Sequence, residues 1–252
     1  MKKTSATQPK KSIKKSAKTV AKRSSPKAKK PVQKKTKAVQ QSAAAFAKHI
    51  HPYGTTRHGE MDWHIARLEA RLATMEAAAA ATTRSALAFA QERHDSQKRD
   101  GGQPYVIHPV RIANILLYEW ATENPDLLAA AMLHDVVEDT QTTITEIKDR
   151  FGNEIGKLVD GMTMWKGSET YETYIKRVSR GPEPLRVLKC ADTLDNLRSW
   201  YDAAGMEFPR WWRQANDLVL PMARSVDDEG RVAQSLDRVL RDPWYLKRAG
   251  ME

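Results

Sequence analysis

A His-Asp pair and a Glu-Asp pair follow an apolar run in the middle of the chain. The run Leu127–Leu133 ends directly at His134 and Asp135, and Glu138 and Asp139 come one helical turn later. Residues four apart share a helix face, so His134 is expected over Glu138. Asp135 is likewise expected over Asp139. Such an apolar helix is predicted to be buried, where an imidazole and three carboxylates need compensation. A divalent metal ion supplies it, with the first pair as ligands and the second pair orienting a water.

Three further stretches carry side chains of the kinds that bind metals or phosphates. His108 lies at a predicted helix start, Asp192 lies inside an apolar helix, and Arg99 follows a helix end. Each also has a plain structural explanation: His108 as a helix cap, Asp192 as the partner of Lys189, and Arg99 as a surface cation. A solvated helix terminus likewise explains the His-Asp pair taken alone.

Taken together, these stretches supply two imidazoles and two carboxylates. Two nitrogen and two oxygen ligands with open positions suit Mn²⁺ first, and Fe²⁺, Zn²⁺ or Mg²⁺ after it. The set contains no thiolate, which argues against a structural zinc site. The predicted metal ligands are His108, His134, Asp135 and Asp192.

The elements that must position these residues are helices. Apolar residues recur every three or four positions, no stretch alternates as a strand does, and the predicted connections are short. The sequence therefore predicts an all-α protein, a compact helical bundle. Helices are predicted over residues 60–81, 85–94, 109–120, 125–140, 143–152, 153–163, 171–178, 183–203, 209–224 and 229–240.

The positive charge of the chain is concentrated at its N-terminal end. Residues 1–48 hold 16 of the 42 Lys and Arg residues and no acidic residue, which leaves 26 basic against 31 acidic residues in the rest. A segment of this composition cannot bury enough apolar area to fold, so residues 1–45 are predicted to be a disordered basic tail. Its charge favours salt-sensitive contact with nucleic acid phosphates, and a solubilising extension is the alternative.

The rest of the chain is expected to form a connector with an N-terminal helix, residues 46–84, and a catalytic body, residues 85–252. The single cysteine, Cys190, excludes an intrachain disulfide and fits a reducing cytosol. No run of 18 apolar residues is present, so no membrane span is expected. The protein is expected in the cytoplasm, where a DNA-binding tail would associate it with the nucleoid. The sequence leaves the oligomeric state open.

The motifs, in this order, resemble those of the HD-domain metal-dependent phosphohydrolases. More narrowly, they resemble the hydrolase domain of the RelA/SpoT alarmone enzymes and their small single-domain relatives. The resemblance covers roughly residues 85–200. It rests on residues 94–109, 134–140, 159–163 and 189–196. It implies an HD-domain fold and hydrolysis of the 3′-pyrophosphate of guanosine tetra- or pentaphosphate, which gives GDP or GTP and pyrophosphate.

The resemblance also implies residue roles. The four predicted ligands match the metal ligands of the family, and Glu138 and Asp139 match the catalytic pair that positions and activates the attacking water. Arg99 matches a residue lining the nucleotide pocket, and Asn196 matches one near the ribose or base. The expected substrate-binding residues are Arg99, Asn196, Tyr105 and Lys189.

Several residues depart from the family pattern. In the last motif Thr193 stands where the long enzymes have Arg, and Asp195 stands where they have His. Asp100 and Met164 each stand where a Lys is usual. The metal set is intact, so the departures are expected to affect base recognition rather than phosphohydrolysis.

Two other functions compete with the leading one. An HD phosphohydrolase could act on another nucleotide, such as a nucleoside phosphate or NADPH. A non-enzymatic nucleic-acid-associated protein would explain the tail but not the complete metal set. About 50 residues follow Trp200, too few for a synthetase domain, so hydrolysis without synthesis is expected.

Overall fold

The computed structural model describes residues 60–99, 102–199, 207–226 and 230–251. Within these ranges the chain is helical, with no strand and a single isolated bridge between Lys98 and Pro104. The predicted all-α class is confirmed. The helices are α1 (Met61–Leu72), α2 (Ala77–Arg93), α3 (Ile107–Tyr118), α4 (Pro125–Leu133), α5 (Val136–Asp139), α6 (Ile144–Phe151), α7 (Asn153–Met162), α8 (Tyr171–Ser179), α9 (Glu183–Ser199), α10 (Phe208–Gln214), a π-helical turn (Ala215–Val219), α11 (Leu220–Ala223), α12 (Arg231–Leu240) and α13 (Pro243–Arg248).

Three helices form the centre of the bundle. Every residue of 107–117 in α3 and of 127–133 in α4 is buried, and α9 is buried along most of its length. Helices α2 and α7 pack against α4, while α3 lies between α1, α4 and α9. Burial on all sides explains why α4 is apolar around its whole circumference. The buried polar side chains of α3 and α9 must therefore find their partners inside the protein.

The helix ends follow local sequence signals. The Asn124 side chain accepts a hydrogen bond from the Leu127 N–H at 3.1 Å, and Pro125 occupies the first turn of α4. The Thr143 side chain accepts from the Glu146 N–H and caps α6. A threonine followed three residues later by a glutamate has the spacing of a capping box, but the Glu146 side chain instead pairs with Arg93 at 2.7 Å.

The first two helices differ from the prediction. A helix was expected to continue to residue 81, but α1 ends at Leu72 and α2 begins at Ala77. The reason is Glu76, whose carboxylate accepts from the N–H groups of Ala78 and Ala79. This cap assigns the Ala-rich run to α2. Helix α2 crosses residues 84 and 85, so the expected boundary there falls inside a helix.

The central predicted helix is interrupted at the His-Asp pair. Helix α4 ends at Leu133, His134 and Asp135 form a turn, and α5 starts at Val136. The prediction of one continuous helix up to residue 140 is therefore wrong, because a turn at residues 134–135 divides it into two helices. The Asp139 N–H still bonds the Asp135 carbonyl at 2.9 Å, so these two residues keep the expected i, i+4 relation.

The C-terminal region holds a distortion and an additional helix. Residues 209–224 were expected as one regular helix, but a π-helical turn precedes Pro221. Proline lacks an N–H and its ring excludes the carbonyl four residues earlier, so a wider turn accommodates it. Helix α13 was not predicted.

Among the described residues, no helix combines the length and apolar character needed to cross a bilayer. The predicted tail, residues 1–45, and residues 46–59 of the predicted connector lie outside the described residues.

Candidate metal-dependent active site

A pocket of about 350 Å³ lies at the junction of α3, the α4–α5 turn and α9. All ten residues that the sequence singled out line it, although they come from four separate stretches of the chain. They are Arg99, Tyr105, His108, His134, Asp135, Glu138, Asp139, Lys189, Asp192 and Asn196. The structure therefore brings the whole predicted set together.

The imidazole of His108 lies at the buried end of the pocket and is 1% exposed. Its Nε2 atom is 3.1 Å from Oδ1 of Asp192 and 3.7 Å from Oδ2 of Asp135. Its Nδ1 atom lies on the opposite side, 2.6 Å from Asp195. The prediction of His108 as a ligand is therefore compatible with the geometry through Nε2, whereas helix capping does not explain a ring turned into the pocket.

His134 faces the same point from α4. Its Nδ1–H donates to the Ala131 carbonyl at 2.9 Å, and its Nε2 lies 3.0 Å from Oδ2 of Asp135 and 3.9 Å from Oδ1 of Asp192. In the described part of the chain this buried Nε2 has no hydrogen-bond partner. One ligand atom each from His108, His134 and Asp135 fall within 4.8 Å of one another.

These observations fit a divalent cation. Nε2 of His134 and the carboxylates of Asp135 and Asp192 converge on one point, where a cation would replace the proton on this nitrogen. The ion would be held there by the two imidazoles and two carboxylates of His108, His134, Asp135 and Asp192.

Asp192 is also held by two neighbours on its own helix. Lys189 donates to Oδ2 at 2.6 Å, and Asn196 donates to Oδ1 at 2.6 Å. Lys189 is 7% exposed, with its ammonium group near the rings of Tyr171 and Tyr174. In this geometry Lys189 neutralises Asp192, the alternative that the sequence left open, rather than presenting a free cation to a phosphate.

The Glu-Asp pair lies at the pocket mouth. Oε2 of Glu138 accepts from the Met164 N–H at 2.9 Å, and the side chain is 22% exposed. Tyr105 contacts Asp135 at 2.7 Å and Asp139 at 3.0 Å through its hydroxyl group. A phenol has one proton, so Tyr105 lies between the two carboxylates and donates to one of them at a time. It acts on the carboxylates here, although the sequence placed it among substrate-binding residues.

Two cations lie beside this mouth. Nζ of Lys166 is 3.3 Å from Glu138 and 3.3 Å from Asp139, and its side chain is 66% exposed. Arg99 donates to Oδ1 of Asn196 at 2.9 Å and lies over the Tyr105 ring. Sequence reasoning missed Lys166, because it looked for a lysine at position 164; the lysine two residues later reaches the pair.

The electrostatics of the site favour charged carboxylates. Burial lowers the pKa of His134, but the Asp135 carboxylate outweighs it and raises that pKa to about 9. Burial acts to raise the pKa of Asp192, yet the Lys189 ammonium holds it well below its usual range. Burial and Asp135 both raise the pKa of Tyr105, so its hydroxyl stays protonated and remains a donor.

An aromatic wall closes one side of the pocket. Tyr171 and Trp211 both line it and meet edge to face with ring centroids 5.9 Å apart. The position of Trp211 in the pocket wall could not be read from its neighbours in the chain, because α10 and α8 meet only in the folded protein.

Comparison with known proteins identifies the family of the chain. The HD-domain family model matches residues 86–224. The mouse (Mus musculus) guanosine-3′,5′-bis(diphosphate) 3′-pyrophosphohydrolase is 34% identical over 139 residues, which are 50% of this chain and 78% of that protein. A solved structure described as a metazoan ortholog of SpoT that hydrolyses ppGpp has a TM-score of 0.57 at 25% identity, covering 68% of this chain and 97% of that one.

The chain belongs to the HD-domain family, within its RelA/SpoT type. It also matches longer proteins over a limited segment. The Aquifex aeolicus enzyme named guanosine-3′,5′-bis(diphosphate) 3′-pyrophosphohydrolase is 42% identical over 141 residues, which are 54% of this chain and 20% of that protein. The chain therefore spans about a fifth of the length of that relative.

Proposed function

We propose that this protein is a metal-dependent hydrolase that removes the 3′-pyrophosphate of guanosine tetra- or pentaphosphate and releases GDP or GTP. The observation that carries the proposal is the convergence of two imidazoles and two carboxylates beside a Glu-Asp pair. The mouse and Aquifex relatives, both named as guanosine-3′,5′-bis(diphosphate) 3′-pyrophosphohydrolases, support this substrate.

Each group of residues in the pocket has a separate role in the proposed hydrolysis. A bound divalent cation lowers the pKa of water and neutralises phosphate oxygens. Glu138 and Asp139 orient the attacking water, and one of them accepts its proton. Tyr105 keeps Asp139 aligned with Asp135, so the base and the ligand cluster hold a fixed separation.

The substrate would be held by charge at the mouth and by the aromatic wall. Lys166 and Arg99 lie where phosphates would enter, and the exposed ammonium group of Lys166 can exchange its half-buried carboxylate partners for a phosphate. Tyr171 and Trp211 offer ring surfaces to a purine base. Lys189 and Asn196 support the substrate indirectly, because both hold Asp192.

We assign Mn²⁺ as the preferred ion on the donor set. Two nitrogens and two oxygens with no thiolate suit Mn²⁺ better than structural zinc. Restoring a chelator-treated protein with Mn²⁺, Mg²⁺, Zn²⁺ or Fe²⁺ in turn, and measuring the rate with each, tests this choice.

The decisive experiment mixes purified full-length protein, Mn²⁺ and guanosine tetraphosphate, and identifies the products. We expect GDP and pyrophosphate in equal amounts. A panel containing nucleoside triphosphates and NADPH distinguishes the alternative, an HD phosphohydrolase acting on another nucleotide. Release of orthophosphate, or faster turnover of NADPH, would replace the proposed substrate while keeping the hydrolase.

A second proposal concerns the basic tail. The 16 Lys and Arg residues of residues 1–48 occur without any acidic residue, which favours contact with nucleic acid phosphates and a cytoplasmic, nucleoid-associated location. Removing residues 1–45 should abolish retention on DNA or heparin and leave turnover intact. Equal DNA retention by the truncated protein would contradict a role for the tail.

A further inference from the structure

Asp195 is a buried carboxylate for which the mechanism above has no use. It lies on α9 three residues after Asp192 and is 1% exposed. A carboxylate at this depth is unfavourable unless it is paired and hydrogen-bonded. Its partners therefore define what it does.

The first partner is His108. Oδ2 of Asp195 lies 2.6 Å from Nδ1 of the imidazole, while Nε2 faces Asp192 and Asp135 across the ring. Because an ionised carboxylate only accepts, Nδ1 must carry the proton. The tautomer is thereby fixed with the Nε2 lone pair pointing into the pocket.

The second partner is Arg111. Its Nε donates to Oδ1 of Asp195 at 2.7 Å and its Nη2 donates to Oδ2 at 2.9 Å, an arrangement that fixes the plane of the carboxylate. Arg111 is itself 5% exposed, so this ion pair is enclosed by the protein. The guanidinium balances the carboxylate charge, and the pair is rigid because both side chains are buried.

The other imidazole is oriented differently. Nδ1 of His134 donates to a neutral acceptor, the Ala131 carbonyl, at 2.9 Å. A carboxylate accepts more strongly than a carbonyl and therefore leaves more electron density on the ring nitrogen opposite. The two predicted nitrogen ligands therefore differ in the group behind them, and His108 has the stronger one.

We propose that Asp195 is a positioning residue that orients His108 and raises the basicity of its Nε2 as a metal ligand. The inference rests on the metal site of the proposed function. The long enzymes of the family carry His where this chain has Asp195, and this difference was expected from the sequence to affect base recognition. The substitution acts on the metal ligand and not on recognition of the nucleotide base.

The test measures binding of Mn²⁺ alone to chelator-treated full-length protein by calorimetry. Asp195→Asn keeps the shape but removes the charge, and we expect affinity to fall about 10- to 100-fold. The control is Thr193→Val, the other departure in the same motif. Thr193 donates its hydroxyl to the Lys189 carbonyl of its own helix, so its loss should leave Mn²⁺ affinity at the native value. Native affinity in a folded Asp195→Asn protein would overturn the proposal.

A second readout separates positioning from substrate contact. If Asp195 acts through His108, excess Mn²⁺ should restore kcat of Asp195→Asn while KM for the nucleotide stays native. A raised KM at saturating Mn²⁺ would overturn the proposal in favour of base recognition. If Asp195→Asn does not fold, Asp195→His replaces it, and native Mn²⁺ affinity in that variant would equally overturn the idea. The calorimetry uses no nucleotide, so its result is independent of whether guanosine tetraphosphate is the substrate.

Discussion

The pocket has a buried end and an open end, and the two hold their charges differently. At the buried end, Asp192 pairs with Lys189 and Asp195 pairs with Arg111, with all four side chains under 10% exposed. At the mouth, Glu138 and Asp139 share one lysine whose side chain is 66% exposed. A buried ion pair cannot exchange partners without leaving an unpaired charge inside the protein, whereas a pair with an exposed member rearranges readily. The buried end is therefore suited to holding an ion, and the mouth to meeting a substrate.

The largest expected effect comes from breaking the buried end. Asp135→Asn removes a ligand charge beside both imidazoles, so we expect loss of Mn²⁺ binding and of detectable turnover. Calorimetry and the pyrophosphate assay measure these two losses. Asp149→Asn, at an exposed position on α6, is the control and should behave as native. Full turnover in Asp135→Asn would remove the basis for a metal mechanism.

Glu138→Gln should distinguish metal binding at the buried end of the pocket from proton transfer at its mouth. The side chain lies at the mouth and is not among the predicted ligands, so Mn²⁺ binding should persist while kcat falls about 10²- to 10⁴-fold if Glu138 is the base. Asp139→Asn is the companion variant, and the larger loss identifies the proton acceptor. Glu154→Gln, an exposed residue of α7, serves as the control. Native rates in both site variants would exclude the pair from catalysis.

The buried end should also respond to pH. The pKa of His134, 6.5 for the free side chain, is raised to about 9 in the fold. Its proton therefore stabilises chelator-treated protein fully below about pH 6.5, and that stabilisation is lost as pH rises through about 9. A cation must displace this proton, so Mn²⁺ affinity should rise on the order of tenfold per pH unit between pH 6.5 and 8.5. Calorimetry across this range measures it, and a flat profile would contradict the raised pKa.

The smallest effect is expected at Lys166, the exposed lysine at the mouth. Lys166→Ala removes an exposed cation, so KM for the nucleotide should rise roughly tenfold or less and mainly at low salt, with Mn²⁺ affinity unchanged. Lys157→Ala is a matched control, because both lysine side chains are 66% exposed and paired with acidic residues. A change in Mn²⁺ affinity for Lys166→Ala would show that the two ends are not independent.

The helical class and the side chains that line the pocket could be predicted from the sequence, because both depend on residue types at fixed spacing. His108 and Asp192 occur in motifs whose order was recognisable, and the structure places them 3.1 Å apart. The break at His134 could not be predicted, since its backbone stays in the α-helical region and no proline or glycine marks the turn. The role of Asp195 was missed for another reason: its partner Arg111 lies 84 residues away in the chain.

The same separation has a consequence for the whole molecule. His108 and Asp192 are 84 residues apart, and the His-Asp turn comes from a third segment between them. An ion held by all four side chains would join these segments as a crosslink does, and binding to the folded form alone shifts the unfolding equilibrium. We therefore expect the supply of divalent cation to govern how long the protein survives heat and proteolysis, as well as how fast it works.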